Sequence, residues 1–377
     1  MTAPRHHPQG PLTGLRVIEF AGIGPGPFAC MLLSDMGADV VTVDRPGSRL
    51  GDTSQIVQRG RTVVQADLKN PAACEDVLAL LERADVLVEG FRPGVMERLG
   101  LGPDVVERRN PRLVYARMTG WGQSGPLAQA AGHDINYIAI TGALHAIGTA
   151  ETPVPPLNLV GDYGGGSLYL VVGILAALHE ARTSGRGQVV DAAITDGAIS
   201  LMANFVGRSL RGAFVEQRAS NMLDGGAPYY RAYATADGRH VSVGPIEPQF
   251  FREFCERVGL PPALRDAQND TAQWPLLHDA LDAIFKTRTL AEWNELLEGS
   301  DSCYAPVLPL SEAMRHPHNI ARGAFVDVDG VRQPAPAPRF SRTPSAVQGA
   351  PATAAAGCAD VIDRWPRASW GGLRRNQ

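Results

Sequence analysis

The residues best suited to chemistry in this chain are a histidine and an aspartate in two glycine-bearing segments. His133 follows Gly132 and precedes Asp134, and Asp162 lies 29 residues after the histidine, close to a run of three glycines. Histidine titrates near neutral pH without assistance, and burial can raise the pKa of a carboxylic acid toward the same range. The pair is therefore suited to moving a proton that is bound to carbon.

Each of these residues also has a structural interpretation. A single histidine is more often a satisfied structural residue than a catalytic one. Asp134 and Asp162 each precede or open a predicted helix, where an aspartate can act as a cap. The spacing does not show that His133 and Asp162 face one another, so both interpretations stay open at this point.

The segments that must position these residues alternate between strand and helix patterns. The predicted strands are 15–20, 38–43, 61–67, 86–89 and 113–118, and the predicted helices are 28–36, 72–82, 94–99, 168–178 and 191–205. Successive strand–helix–strand units imply a parallel sheet with right-handed crossovers. We therefore expect an α/β domain over residues 1–200.

The pattern changes after residue 200. Residues 201–226 are mixed and polar and are predicted to form a linker, and 227–325 are predicted to form a small α+β domain. Residues 326–377 are predicted to form a strap that returns over the surface, because the stretch 333–357 within them is rich in proline and alanine. In the small domain, Glu247 opens a predicted helix, where a carboxylate stabilises the helix dipole.

A glycine-proline turn, Gly22–Pro27, joins the first predicted strand to the first helix, and Asp44 follows the second strand. This arrangement partly imitates a dinucleotide-binding fingerprint. It departs from that fingerprint because Pro27 occupies the third glycine position. The turn is either a tight connection or a loop that a ligand approaches closely.

Several arginines fall at strand ends or in loops of the same domain. Ligands of open parallel sheets bind beyond the carboxyl ends of the strands, and the arginine fork matches phosphate oxygens. Each arginine alone is typical of a solvated surface, but as a group they favour a polyphosphate ligand. The group consists of Arg45, Arg59, Arg61, Arg92 and Arg98.

Composition excludes other classes of protein. The net charge of −4 and the pI of about 6.1 argue against a duplex nucleic-acid binder. The five cysteines are scattered and form no C-x-x-C pair, which argues against a zinc site or a disulfide framework. The start of the chain lacks the apolar core of a signal peptide, and the apolar run 168–178 is too short to span a bilayer. We therefore expect a cytoplasmic protein with no membrane span and no metal site.

Eight ordered segments resemble the family III CoA-transferases (the CaiB/BaiF family), and within that family the racemases of α-methylacyl-CoA. The resemblance runs from about Leu12 to about Thr343. The segments are Gly24–Pro27, Val43–Arg49, Ala66–Lys69, Phe91–Arg98, Gly132–Tyr137, Pro156–Leu159, Asn221–Pro228 and Ile246–Phe250.

The resemblance implies an architecture. The large domain would be Rossmann-like, the small domain would be α+β, and the C-terminal strap would return to the large domain. Two chains would interlock as linked rings in a homodimer. The active site would then lie between the large domain of one chain and the small domain of the other.

The resemblance also implies roles for individual residues. His133 and Asp162 would be the two catalytic acid/bases, with Asn158 supporting Asp162 and Glu247 supporting His133. The CoA part of the substrate would lie along Arg45, Arg61, Ala66, Asp67, Leu68, Arg92, Arg98 and Tyr137.

The expected reaction is interconversion of (2R)- and (2S)-2-methylacyl-CoA thioesters through an enolate. The Asp134 amide would donate to the thioester oxygen, and neither a metal nor a redox cofactor is needed, since CoA is part of the substrate. The main alternative is a CoA-transferase in which the Asp134 carboxylate attacks the thioester. A noncatalytic acyl-CoA-binding protein and a nicotinamide-dependent oxidoreductase are weaker alternatives.

Overall fold

The computed structural model describes residues 9–365, and the chain within them divides into two units. The first unit contains the residues up to Thr141, Leu157–Leu201 and the segment from Gly323 onward. The second unit contains Gly142–Pro156 and Met202–Arg322. Two segments therefore lie differently from the expected domains, because 142–156 and the predicted linker both group with the second unit.

The strands of the described residues are short and mostly apolar. In chain order they are β1 (Arg16–Phe20), β2 (Asp39–Asp44), β3 (Arg61–Gln65), β4 (Val86–Glu89), β5 (Val114–Thr119), β6 (Val189–Ala193), β7 (Arg231–Ala234), β8 (His240–Val243), β9 (Tyr304–Val307), β10 (Phe325–Val328), β11 (Val331–Pro334) and β12 (Ala355–Ala356).

The helices of the same residues often begin with proline. They are α1 (Pro25–Asp35), α2 (Pro71–Leu81), α3 (Val95–Arg98), α4 (Pro103–Arg109), α5 (Asp134–Ala139), α6 (Ala143–Ala146), the π-helix Leu159–Leu168, α7 (Tyr169–Ser184), α8 (Ile194–Leu201), α9 (Ala203–Ser209), α10 (Pro248–Val258), α11 (Trp274–Phe285), α12 (Leu290–Leu297), α13 (Leu310–Ala313), α14 (Pro317–Ala321) and α15 (Cys358–Arg364). Two short 3₁₀ turns lie at Ile56–Gln58 and Pro262–Leu264.

The first unit is built on a seven-stranded sheet in the order β12-β3-β2-β1-β4-β5-β6, and every pairing in it is parallel. Its inner strands are buried on both faces, as expected for a parallel sheet covered by helices. Neighbouring residues of β1 point to opposite faces. Val17 packs into the core that includes α1 and α7, and Ile18 packs into the core that includes α2 and α15. The expected α/β fold with a parallel sheet is confirmed.

Two sequence-based expectations about this unit are wrong. Residues 191–205 were expected to be one helix, but the strand β6 occupies the start of this stretch and helices α8 and α9 occupy the rest. Pairing with β5 decides the structure there, since each residue from Val189 to Ala193 is paired across the sheet. Asp162 was expected to precede a helix and instead lies within the π-helix.

The second unit contains a three-stranded antiparallel sheet in the order β7-β8-β9. Strands β7 and β8 form an antiparallel pair around the turn Ala236–Arg239, and β9 adds a third strand on the other side of β8. Helices α10, α11 and α12 pack on the sheet through a fully buried aromatic cluster of Phe254, Phe285 and Trp293. This unit is therefore an α+β structure.

The segment after Gly323 belongs to the first unit. It begins with the antiparallel hairpin of β10 and β11 and later adds β12 to the edge of β3. Side chains hold it further: Gln348 hydrogen-bonds the backbone of Gln9, and Arg364 pairs with Asp39 at 2.9 Å.

Within residues 9–365, one helical stretch, Leu159–Ser184, is long and apolar enough to cross a membrane by length and composition. Core helices of soluble proteins share this length and composition, so neither property by itself indicates a membrane span. The stretch comprises the π-helix and α7. Its glycines pack tightly on α8, since a Cβ added to Gly165 would lie 2.7 Å from the Ala198 nitrogen. Such close packing is typical of a helix that belongs to a protein core.

Candidate active site

A cavity of about 920 Å³ opens at the carboxyl edge of the large sheet, beyond the ends of β1, β4 and β5. The strand order changes direction between β1 and β4, and ligands of open α/β sheets bind at this kind of point. His133, Asp134, Asn158 and Asp162 all line this cavity, together with the loop Gly22–Pro27. The structure therefore brings together the candidate catalytic residues of the first unit.

His133 is the N-cap residue of α5 and is exposed to the cavity. Its amide donates to Oδ1 of Asn136 at 3.0 Å, and its carbonyl accepts from the amides of the first turn. The preceding residue, Gly132, is held by Tyr137, whose hydroxyl donates to the Gly132 carbonyl. The Tyr137 ring packs edge-on against Trp121 at 4.8 Å. The backbone on both sides of His133 is thus fixed.

Asp162 reaches the cavity from the π-helix and lies against the glycine-proline loop. A Cβ added to Gly24 would be only 3.0 Å from Asp162 Oδ2, and Gly24 has a φ of +71°. The side chain of Asn158 hydrogen-bonds to the Asp162 carboxyl group. The Gly22–Pro27 turn connects β1 to α1 and lines the cavity, and the group that lies closest to Gly24 is the Asp162 side chain, so close approach of a ligand stays a prediction.

The pKa of Asp162 is raised above its ordinary value. Burial is the largest cause, and the neighbouring carboxylate of Asp134 adds to it. The hydrogen bond from Asn158 and the charge of His133 oppose the rise. Burial and a like charge both disfavour the ionised form, so this carboxyl group holds a proton more readily than a carboxyl group in water. The electrostatic interaction between Asp162 and His133 couples the two candidate acid/bases.

Asp134 is buried and supports the π-helix. Its Oδ1 accepts a hydrogen bond of 2.6 Å from the Asp162 amide, and the Gly161 amide also stabilises its carboxylate. Burial nevertheless raises the pKa of Asp134. Within residues 9–365, its Oδ2 is buried and has no hydrogen-bond partner. The carboxylate therefore links the start of α5 to the backbone that carries Asp162.

The residues expected to hold CoA follow successive strands at the same edge of the sheet. Arg45 follows β2, Ala66 to Leu68 follow β3, Arg92 follows β4, and Arg98 ends α3. The three arginines are exposed, Ala66 is buried, and Arg92 lines the cavity. Among the other expected contacts, Asp67 is exposed, Leu68 packs partly into the core, and Tyr137 forms a wall of the cavity.

Arg61 does not fit the phosphate-binding role that the resemblance implied. Its side chain is only 3% exposed and pairs with Glu19 at 3.0 Å. It also donates to the carbonyl oxygens of Pro27 and Val57. A guanidinium that is buried and engaged in this way stabilises the protein from within. We therefore correct its assignment: Arg61 holds the loop that contacts Asp162.

Glu247 belongs to the second unit, where it is the exposed N-cap residue of α10. Its carbonyl accepts from the Phe251 amide at 2.9 Å. Its negative charge contributes to raising the pKa of Cys303, after the larger effect of burial. Support of His133 by Glu247 stays a prediction.

Sequence reasoning assigned no individual role to three residues that shape this site. Gly24 contacts Asp162, Trp121 supports Tyr137, and Asn136 accepts from the His133 amide. The capping pattern His133-x-x-Asn136 was a signal for the last of these, since a side chain three residues into a helix often bonds back to the N-cap amide. The other two depend on contacts between distant segments.

Comparison with known proteins agrees with this geometry. Residues 12–355 match CoA-transferase family III. Alpha-methylacyl-CoA racemase of Mus musculus is 44% identical over 337 residues, which cover 89% of this chain and 87% of that protein. The Homo sapiens racemase is 43% identical with the same coverage. A crystal structure of a hypothetical protein from Mycobacterium tuberculosis superposes with a TM-score of 0.80 at 29% identity, covering 95% of this chain and all of that chain. This chain therefore belongs to CoA-transferase family III.

Proposed function

We propose that this protein is an α-methylacyl-CoA racemase, an isomerase that interconverts (2R)- and (2S)-2-methylacyl-CoA thioesters. The observation that carries the proposal is the meeting of His133 and a partly buried Asp162 in one cavity at the carboxyl edge of the sheet. The identity to the mouse and human racemases supports the same reaction.

The chemical problem is that a proton beside a thioester is far too weakly acidic for a histidine or a carboxylate to remove in water. The site must therefore stabilise the enolate that forms when the proton leaves. The first amides of a helix have no acceptor within the helix and point toward its N-terminal end. In our proposal the Asp134 amide, at the start of α5, donates to the thioester oxygen as negative charge develops there.

Two groups then move the proton. Neutral His133 removes it from one face of C2, and protonated Asp162 delivers another proton to the opposite face. This leaves a charged histidine and an ionised aspartate, which is the state needed to convert the opposite enantiomer. The raised pKa of Asp162 supports the protonated form that the first direction requires. The thioester itself activates the proton, so the proposed chemistry uses neither a metal nor a redox cofactor.

Further residues complete the proposed site. Asn158 would hold the Asp162 carboxyl group, and Glu247 would orient His133 across the dimer. The exposed side chains of Arg45, Arg92 and Arg98 would bind the phosphates of CoA. Ala66 to Leu68 and Tyr137 would contact the rest of the CoA molecule.

We also propose a homodimer of interlocked chains with a Rossmann-like large domain, located in the cytoplasm. Large apolar side chains remain exposed on one group of helices in the first unit, which favours a partner surface. They include Leu159, Leu168, Val172, Ile199 and Leu201. All five cysteines are free thiols, which is compatible with a reducing compartment.

A CoA-transferase is the second candidate function, because Asp134 is present at the position of the proposed nucleophile. Its burial and its hydrogen bond to the Asp162 amide favour a supporting role instead. The two candidates differ in a covalent intermediate. Incubation with acyl-CoA and hydroxylamine should leave the mass of Asp134 unchanged if the protein is a racemase, and a hydroxamate on Asp134 would favour the transferase.

The decisive experiment is proton NMR of one enantiomer of a 2-methylacyl-CoA incubated with the protein in D₂O. A racemase should remove the α-proton signal, collapse the methyl doublet and form both epimers. His133→Ala and Asp162→Ala should each slow racemisation by about 10²–10⁴-fold. Absence of exchange by the wild-type protein would refute the proposal, as would near-normal rates in both variants.

A further inference from the structure

A buried arginine lies beneath the loop that connects β4 to α3. Arg117 on β5 stands directly opposite Glu89, the last residue of β4, in the register of the parallel sheet. Its side chain is 8% exposed, and that of Glu89 is fully buried. Nε of Arg117 donates to Oε1 of Glu89 at 2.8 Å. The ion pair is thus anchored on two inner strands of the sheet.

The same arginine reaches both ends of the loop. At the start of the loop, Oε2 of Glu89 accepts from the Phe91 amide at 2.8 Å. At the far end, the two terminal nitrogens of Arg117 donate to the two carboxylate oxygens of Glu97, at 2.8 and 3.3 Å. A forked pair of this kind fixes orientation as well as distance. The segment between Glu89 and Glu97 is therefore tied to β5 through a single guanidinium.

This segment carries two of the proposed phosphate ligands. Arg92 lies inside it, and Arg98 follows Glu97 directly at the end of α3. The Arg98 guanidinium lies close to the loop backbone, since a Cβ added to Gly94 would be 3.2 Å from its Nη1. Arg92 is exposed and lines the cavity. The positions of Arg92 and Arg98 relative to the sheet therefore depend on this loop. Arg117, which anchors the loop, is itself buried.

We infer that Arg117 is a positioning residue for the nucleotide end of the substrate, acting through Glu89 and Glu97 to hold Arg92 and Arg98 in place. The inference rests on the proposed function, because it assumes that these two arginines bind CoA phosphates. It assigns Arg117 no part in proton transfer. Loss of the anchor should weaken the binding of CoA and leave the chemistry at C2 unchanged.

The test compares ligands with and without the nucleotide. Titration calorimetry measures the Kd of free CoA and of pantetheine, and steady-state kinetics measure KM and kcat with a 2-methylacyl-CoA and with the same acyl group on pantetheine. For Arg117→Met we expect the Kd and KM of the CoA compounds to rise about tenfold, which corresponds to a loss of about 1.4 kcal/mol of binding free energy. The kcat and all values for the pantetheine compounds should stay within about twofold.

Two further variants guard against a general loss of structure. Glu97→Gln removes the ion pair between Arg117 and Glu97, whose side chain is 44% exposed. The buried pair of Arg117 and Glu89 stays intact, so this variant should give a smaller rise in the Kd of CoA. Arg117→Lys keeps the charge without the fork and should lie between the wild-type protein and Arg117→Met. The matched control is Arg109→Met, because Arg109 also pairs with two glutamates, Glu75 and Glu82, but on the exterior of other helices.

The outcomes separate this inference from the proposed function. An unchanged Kd of CoA in Arg117→Met, or an equal loss with CoA and pantetheine, would overturn the positioning role. The binding measurements do not depend on turnover. A wild-type protein that binds CoA but does not racemise would contradict the proposed reaction, while the effect of Arg117 on CoA affinity would still support the positioning role.

Discussion

At the scale of single residues, the proposed site depends on two carboxyl groups that influence one another. Asp134 is buried, and its carboxylate accepts a hydrogen bond from the backbone amide of Asp162. The charge of Asp134 also helps to raise the pKa of Asp162. A residue that stabilises the backbone thus also adjusts the acidity of its neighbour. We expect this arrangement to make the ionised form of Asp162 a source of instability.

Replacement of Asp162 by asparagine should reveal that cost. The folded pKa of Asp162 is raised above the unfolded value of 3.8, so the folded state binds more protons between these two pKa values. Stability should therefore fall as the pH rises through that window. Asp162→Asn should increase the Tm by a few degrees at pH 7.5 and by much less near pH 4, while it slows racemisation by about 10²–10⁴-fold.

The matched control is Asp52→Asn. The Asp52 carboxylate accepts hydrogen bonds from Ser54, and these lower its pKa. The ionised Asp52 therefore stabilises the folded state at any pH above its unfolded pKa, and this contribution is lost as the pH falls through its folded pKa. Asp52→Asn should consequently not gain stability at pH 7.5. A Tm of Asp162→Asn that is below the wild-type value at pH 7.5 would contradict the prediction.

Gly24 offers a second prediction at this scale. A Cβ at Gly24 would press on Asp162 Oδ2 and would require a φ of +71°, which residues with side chains rarely adopt. Gly24→Ala should lower kcat by about 10²-fold, as for a displacement of about 1 Å at a reacting group. Gly26→Ala is the matched control, since a Cβ there meets no other atom within 4 Å. Equal rates for the two variants would refute the prediction.

At the scale of elements, the π-helix is the feature that places Asp162. Gly161, Gly165 and Gly166 are buried in it, and they allow close contact with α1, α5 and α8. A widened helical turn alters which residues share a face, so a single residue in this element can be redirected toward a cavity. The position of Asp162 therefore depends on helix packing as much as on its own contacts.

A substitution on the facing helix should test this dependence. A Cβ added to Gly197 of α8 would overlap the carbonyl group of Gly165. Gly197→Ala should therefore lower the free energy of unfolding by about 1–3 kcal/mol, as overpacked cores do. Gly207→Ala in α9 is the control, because its Cβ would meet nothing within 4 Å and alanine is the better helix former. Denaturant unfolding measures both, and a neutral Gly197→Ala would contradict the expectation.

The same elements explain how far the sequence alone can predict this structure. Strands β1 to β5 were predictable because short apolar and β-branched runs are separated by turns and helical patterns. His133 and Asp162 were identifiable by residue type. The π-helix was not predictable, because its form depends on glycine contacts with α8. Arg61 was misassigned because an arginine at a strand end looks the same in sequence whether Glu19 neutralises it or solvent surrounds it.

At the scale of the whole molecule, the proposed dimer gives a further prediction. Val172 and Ile199 are 64% and 51% exposed in the first unit. Light scattering after gel filtration should give about twice the chain mass of 40.2 kDa. Val172→Glu with Ile199→Glu should shift the protein toward monomer, whereas Leu276→Glu, at an exposed leucine of the second unit, should not. A monomeric wild-type protein would contradict the proposal.

The pairing of β12 with β3 has a consequence for how the chain is made. Ala355 follows Gln65 by 290 residues, so the ribosome must synthesise the whole second unit before the outer strand is available. At roughly 5–20 residues per second, that interval lasts about 15–60 s. During this time β3 is an uncovered sheet edge that can pair with other chains. Nascent chains that stall before residue 355 therefore keep this edge uncovered, and we expect them to aggregate more readily than complete chains.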